Sequence, residues 1–348
     1  MKRRSFLAGA TAAAATPMLP RLARAADRPF TFCSWGGTLS EMEQKAFIDP
    51  FAAAKGIEAV NTSPTEYSRM VAMVEAGKPE WDLVDVGGSD MFFVEARGGL
   101  EELDMSKIPN AAALPAEFRA KSGVVTSTGA TIIAWSQDAF PDGGPQSWVD
   151  FWDVKNFPGP RGLYSEFIYN YEAGLRAAGV ALDEIYPYTP EKRDIVYGKI
   201  RELKPHVTVW WDSGAQPPQL LSSGELVASS AWSGRIVSAR DEGAPIGYTY
   251  NDGIAWGNWW VIVKGSPYAD LAHEAINFAL APENQRKLPA MRAYGPSIKG
   301  ATDGLSEEET RDLVMTPEHL PHMVFTDEYE SYRSLEDTLE SWRELMME

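Results

Sequence analysis

Past residue 26 the chain alternates β-rich apolar runs with segments of helical period, which restricts it to the α/β class. Trp81 to Val86 reads as a strand running into Gly87-Gly88, with a short helix from Met91 to Ala96 that Gly98-Gly99 closes. Val124 to Trp135, Val207 to Trp211 and Leu226 to Trp232 are further strands, and Trp259 to Val263 is apolar enough to be buried on both faces. Between them lie a capped short helix at Ser147 to Trp152, a short helix at Pro218 to Ser223, and a longer one from Pro190 to Lys204. Thr189 caps the longer helix and Ile195, Val196, Ile200 and Leu203 form its apolar face. Ser266-Pro267 opens a helix through Leu280, and Ser306 with Glu309 has capping-box spacing. Tyr329, Tyr332, Leu335, Leu339 and Trp342 step by three or four, which predicts one amphipathic helix over 327–347. No repeat or flexible linker interrupts the pattern, so two lobes joined by crossing strands fit better than separate beads.

The first strand-to-helix handover is the run FTFCSWGGTLSEMEQKAF, residues 30–47. Phe30, Phe32 and Trp35 favour a strand. Thr38 and Glu41 have capping-box spacing, and Leu39, Met42, Ala46 and Phe47 keep one helical face apolar. Gly36 and Gly37 therefore sit at a helix N-terminus, where glycine allows a tight turn and close backbone approach to a ligand.

The N-terminus reads MKRRSFLAGATAAAATPMLPRLARA, with Arg3-Arg4 ahead of an apolar run and Ala23-Arg24-Ala25 as a cleavage site. It has the pattern of a twin-arginine export signal, and Pro17 and Pro20 leave the run too broken to span a bilayer. Removing it takes away five cations and no acid, so the formal net charge of −17 becomes −22. Such a surface is a poor nucleic-acid binder, because phosphate contacts need basic groups. Cys33 is the one cysteine, so no internal disulfide and no cysteine zinc site can form; among strand-forming neighbours it reads as an inert buried thiol.

Catalytic patterns are absent. His206, His273, His319 and His322 do not form H-E-x-x-H, and no G-x-S-x-G elbow or G-x-x-x-x-G-K-[ST] loop occurs. Asp212-Ser213-Gly214 resembles an aspartic-protease triplet but has no second copy. No metal, cofactor or catalytic residue is expected. A secreted enzyme on a two-lobed fold stays open as the alternative of another class.

Aromatic residues recur beside glycine at strand ends: Trp35 before Gly36, Trp232 before Ser233-Gly234, Trp256 before Gly257, and Tyr294 before Gly295. In open α/β sheets ligands bind beyond the carboxyl ends of strands. These four residues are candidate walls of a cleft that would suit apolar stems and ammonium groups. Trp148, Trp152, Trp259 and Trp342 read as packing.

Together with Trp35-Gly36-Gly37, a series of short strings gives the chain a family resemblance. They are Trp81-Asp82-Leu83-Val84, Pro158 to Leu163, Lys204 to Val207, Trp210 to Gln216, Gly224-Glu225, Ala231 to Arg235, Val261 to Gly265 and Tyr294-Gly295-Pro296. In this order and spacing the chain resembles a periplasmic solute-binding protein of an ABC importer, of the spermidine/putrescine-binding-protein-like family. The resemblance implies a type II-like periplasmic-binding-protein fold with the ligand closed between two α/β lobes, and docking of the closed form on an inner-membrane permease. It implies lobes at 26–129 plus 262–304 and at 130–261, C-terminal helices at 305–348 packing across them, and a monomer. Trp35, Gly36, Ser89, Glu166, Trp232, Trp256 and Tyr294 fall at ligand positions by the same resemblance, Glu166 as a carboxylate that meets an amine.

Two positions depart from the polyamine pattern. Asn258 stands where an aspartate is usual, and Arg235 lies three residues after Trp232, potentially in the cleft. An unpaired cation beside an amine in a dry cleft is costly, whereas arginine grips a carboxylate bidentately. The expected ligand is thus a polyamine or related small amine. The alternative is an amine that also carries a carboxylate, such as an opine or amino-acid derivative. Arg235 could instead pair with Asp212 or Asp252, or face solvent. Asp90 could supply the missing negative charge or cap its helix.

Overall fold

The computed structural model describes residues 28–291 and 294–348; the expected export signal at 1–25 lies outside the described residues. In chain order the elements begin with β1 (Phe30–Cys33), α1 (Gly37–Glu43), which runs through a π turn into α2 (Asp49–Lys55), β2 (Ala59–Thr62), α3 (Tyr67–Glu75), β3 (Leu83–Val86) and α4 (Gly88–Glu95). They continue with β4 (Gly123–Ser136), α5 (Trp148–Trp152), β5 (Arg161–Tyr164), α6 (Asn170–Ala177), α7 (Pro190–Leu203), β6 (Val207–Trp211), α8 (Gln216–Ser223), β7 (Ala228–Trp232), α9 (Ser233–Asp241) and β8 (Ile246–Ile262). The last are α10 (Ala269–Ala279), α11 (Pro282–Gln285), α12 (Lys287–Met291), β9 (Gly295–Pro296), α13 (Glu307–Thr310), β10 (Val324–Phe325) and α14 (Glu328–Met347). No helix among the described residues is long and apolar enough to cross a membrane.

The strands form one sheet in the order β2-β1-β3-β8-β4-β7-β5-β6, with β10 beside β8 and β9 beside β4. Two long antiparallel strands, β4 and β8, run its whole length, from Gly123 opposite Val261 to Ser136 opposite Ile246. At one end β8 pairs β3, and parallel β1 and β2 extend the sheet; at the other, β4 pairs β7, and parallel β5 and β6 follow. Each end has its own apolar core. One gathers Phe32, Phe47, Leu83, Val124 and Trp260; the other gathers Ile133, Trp148, Leu163 and Ile200, with a smaller cluster around Ile132, Ala231 and Ile236. On β4 the change of core falls between Val125 and Ala130. On β8 it falls ahead of Trp256, earlier than the expected crossing at 261/262, because Trp259 and Trp260 pair with Val86 and Asp85 of β3. The β4–β8 register shifts at Val125/Ser127 and Thr131/Ile133. Such irregularities bend strands and re-aim side chains.

Several local expectations hold. Ser147 and Thr189 accept from Asp150 N–H and Lys192 N–H, and Ser306 with Glu309 forms a full capping box. Cys33 is buried, and burial pushes its thiol up to about 12.

Others do not. Thr38 caps nothing: α1 starts at Gly37, two residues ahead of where a Thr38 cap would start it, and Ser40 Oγ accepts the Gly36 N–H at 2.8 Å. The helix expected at Ser266 starts at Ala269, because Ser266 Oγ donates to Asp82 (2.6 Å) and accepts the Tyr268 N–H. Ile195 is exposed. On α14 the buried stripe is Glu328, Ser334, Thr338, Trp342 and Leu345, while Tyr329, Leu335 and Leu339 of the expected face are exposed. The helix is rotated by about one residue from the apolar stripe because the hydroxyls on its inner face satisfy themselves. Ser334 and Thr338 donate to the carbonyls of Ser331 and Ser334, both at 2.8 Å.

Candidate ligand-binding cleft

The carboxyl ends of β1, β3, β5 and β7 all open on one cavity of about 570 Å³, closed on its far side by β8 and α14. Trp35, Ser89, Glu166, Trp232, Arg235, Trp256, Asn258 and Tyr294 line it; Gly36 stands just behind, its carbonyl accepting from Arg235 Nη2 at 2.8 Å. Trp35 and Glu166 follow the ends of β1 and β5, Trp232 closes β7, and Ser89 and Arg235 sit in the first turns of α4 and α9. Trp256 and Asn258 project from within β8, not from a strand end.

An aromatic wall runs along the cavity. Trp232 lies 5.9 Å from Tyr164, Tyr164 5.9 Å from Tyr169, Tyr169 6.4 Å from Trp256, and Trp256 6.3 Å from Tyr294, between ring centroids. Trp256 fits because Gly129 faces it across the β4–β8 pair, where any Cβ would overlap the indole; its Nε1 donates to Thr131 Oγ1 at 3.3 Å. Tyr169 has a φ of 67°, a left-handed conformation that costs a bulky residue energy and tends to occur at functional sites.

The charges divide between two regions. Arg235 projects from α9 against the Gly36-Gly37 turn, and its buried Nε has no hydrogen-bond partner. Among the described residues no carboxylate lies within ion-pair distance of it. Asp252 pairs instead with Arg176 at 2.8 Å, and Asp212 is exposed with its N–H bonded to Gln216. Asn258 Nδ2 donates to Ser127 Oγ at 2.9 Å. Away from Arg235, Asp90 sits on α4 with its carboxyl pushed up to about 7, first by burial and then by the negative charge of Glu166. Glu328 accepts the Ser89 N–H at 3.2 Å and is pushed up to about 8, first by burial and then by Glu172.

Tyr164, Tyr169, Glu172 and Glu328 are among the cavity residues that the sequence did not single out. The density of aromatics in YSEFIYNY, residues 164–171, was the one available signal. Among the histidines, His273 and His319 are held by backbone partners, and no group of three potential ligands is placed to hold a metal among the described residues.

A family model described as bacterial extracellular solute-binding protein matches residues 46–317. The chain belongs to that family. It is 33% identical over 301 residues to the gamma-aminobutyric acid-binding protein of Pseudomonas aeruginosa, covering 86% of this chain and 85% of that one. Its fold matches an ABC transporter substrate-binding protein from Bradyrhizobium japonicum USDA 110 with a TM-score of 0.86 and 37% identity, over 91% of this chain and 99% of that one. It matches PBP MotA from A. tumefaciens B6 in complex with glucopine with the same TM-score and 32% identity, again over 91% and 99%. The protein is thus the substrate-binding component of an ABC transporter, with the two-lobed fold of periplasmic binding proteins. The family implies a small-molecule ligand and a permease partner, and solute-binding proteins are not enzymes. The ligands of these relatives are gamma-aminobutyric acid and glucopine, not the polyamine that the finer resemblance implied.

Proposed function

We propose that this solute-binding protein receives a small organic molecule carrying both an amine and a carboxylate, and presents it unchanged to its permease. Arg235 carries the reading: a guanidinium in the cleft with no carboxylate of its own among the described residues. A ligand carboxylate would restore its missing partner. Glu166 and Asp90 would meet the amine, and the aromatic wall would hold the stem between them. Gamma-aminobutyric acid, bound by the Pseudomonas relative, joins these two groups in one molecule.

A polyamine is the second reading, favoured by the acids Asp90 and Glu166 on the cavity wall. It would leave Arg235 facing an ammonium, which costs several kcal/mol in a desolvated site. The remaining parts of the proposal are export by the twin-arginine signal with cleavage near Ala25, lobes meeting along β4 and β8, and a monomeric receptor.

Thermal melting of the refolded, ligand-free protein against gamma-aminobutyric acid, opines, putrescine and spermidine tests the reading. A ligand at a hundredfold its Kd adds about 2.7 kcal/mol and raises Tm by several degrees. Stabilisation by the amine-carboxylates, abolished in Arg235→Ala, is expected. Stabilisation by polyamines alone would retire this reading and make Arg235 structural.

A further inference from the structure

The cavity is also lined by Tyr169, by Glu172 of α6 and by residues of α14. There Glu172, Glu328 and Asp90 lie near enough that the other two act on Glu328; we call this acidic part of the lining the chamber. Glu172 is 1% exposed. Its Oε1 accepts the Tyr186 hydroxyl at 2.5 Å, but its buried Oε2 has no partner. A carboxylate oxygen left bare in the interior costs on the order of 1–3 kcal/mol or more. Among the described residues no cation pairs with the three acids: Arg333 is paired with Glu330 at 2.6 Å, and Arg97 donates to the Phe93 carbonyl while lying over the Phe93 ring. Glu172 and Asp90 both raise the proton affinity of Glu328. They are not arranged as a metal site. An organic cation, which spreads its charge over several donors, suits such a loose group better. The cavity volume of about 570 Å³ also lies within the range of roughly 300–1,000 Å³ typical of small-molecule sites.

We propose that this chamber is a second subsite, in which Asp90, Glu172 and Glu328 take the cationic end of an elongated ligand whose carboxylate lies at Arg235. The inference rests on the reading of Arg235 given above and narrows the ligand class. It becomes an extended amino or guanidino acid, with Tyr169 at the passage between its two ends.

Isothermal titration with 3-aminopropionate, 4-aminobutyrate, 6-aminohexanoate and 8-aminooctanoate tests it, with hexanoate as the uncharged-tail control. Affinity should rise at least tenfold from the shortest member to 6- or 8-carbon members and collapse for hexanoate. Glu172→Gln should cut that long-over-short ratio by about tenfold. Glu328→Gln, which keeps an acceptor for the Ser89 N–H, should do the same. Melting of the ligand-free variants verifies that they fold. Affinity that peaks at the shortest member, or a length ratio untouched by both variants, overturns the subsite. Putrescine and 1,8-diaminooctane separate the two readings. If no amino acid of the series binds, while diamines bind and are weakened by Glu172→Gln but not by Arg235→Ala, the Arg235 reading falls and the acidic chamber stands alone.

Discussion

Arg235 Nη2 donates to the Gly36 carbonyl at 2.8 Å, joining α9 beside one core to the β1–α1 turn beside the other. The bond crosses the mouth of the cleft, so the guanidinium that would hold a ligand also ties its two sides. Solute-binding proteins of this architecture act by a shift between open and closed forms. Here one hydrogen bond of such a pair of forms can be named.

Gly37 makes that hydrogen bond possible. Its φ is +59°, and a Cβ there would overlap the Arg235 guanidinium. Gly37→Ala should therefore displace Arg235, lower affinity for carboxylate-bearing amines about tenfold or more, and cost roughly 1 kcal/mol of stability through the strained backbone. Titration and melting read the two effects separately. Affinity equal to that of the parent protein would show that Arg235 grips its ligand without the turn.

The buried carboxyls set a pH dependence. Burial pushes Glu43 and Asp90 up to about 7 and Glu328 up to about 8. Glu43 is packed with Asp85, which burial and Glu43 also push up, while Glu43 accepts from Ser34 Oγ and Trp260 Nε1. Each folded value lies above the unfolded one near 4, so between them the native state holds more protons than the unfolded chain. Stability then falls as pH rises through that window. The ligand-free protein should melt several degrees higher at pH 5.5 than at pH 8.5, and Glu328→Gln should reduce the difference, Glu43, Asp85 and Asp90 supplying the rest. Equal melting of the parent protein at both pH values would mean that these carboxyls are already ionised in the fold. A cationic ligand reverses the trend for binding: it favours the carboxylates, releases protons, and should bind more tightly as pH rises from 6 to 8. Titration in buffers of different ionisation enthalpy counts those protons.

The aromatic wall gives an optical readout. Trp256 is held between Tyr169 and Tyr294, with its Nε1 on Thr131. Ligand binding should shift tryptophan emission, and Trp256→Leu should remove most of that shift and weaken binding about tenfold. An unaltered emission change in the variant would move the ligand away from the wall.

What the sequence could reveal depended on how local each feature is. The aromatic-glycine pairs at Trp35 and Trp232 were legible because a strand end is a local event. Trp256 and Tyr294 reach the same cavity, but Trp256 does so from inside β8 and Tyr294 from just ahead of β9, not from the strand ends expected. The 17-residue length of β8 was not legible. Asn251-Asp252-Gly253 reads as a turn, yet it lies within the strand, with Asp252 at a φ of 59° near the Thr131/Ile133 register shift. Tyr169 was hidden for a similar reason: nothing in a tyrosine announces a positive φ that only its surroundings impose. The acids of the chamber come from α4, α6 and α14, separated by up to 238 residues in sequence between Asp90 and Glu328, so only the fold brings them together. Arg235 was visible, but its lack of an acid partner is a three-dimensional fact.

Arg161, within the Pro158 to Leu163 string, carries the last prediction. It is fully buried, and burial lowers its guanidinium to about 10. No carboxylate pairs with it among the described residues. It donates instead to the carbonyls of Phe151 (3.2 Å), Gly159 (3.0 Å) and Phe157, and stacks 5.4 Å over the Phe151 ring. The carbonyls of Phe157 and Gly159 belong to the connection between α5 and β5, which has no ladder to satisfy them, and that of Phe151 lies in the last turn of α5. Arg161→Met keeps much of the volume but leaves three buried acceptors unpaired, each costing about 1–3 kcal/mol. A net loss on the order of 3–5 kcal/mol is expected, which lowers Tm by roughly 10 °C. Arg161→Lys should fall between, because one ammonium cannot span three carbonyls in a plane. Melting of both variants checks the order; a lysine variant as stable as the parent would show that charge, not the guanidinium fork, holds the connection.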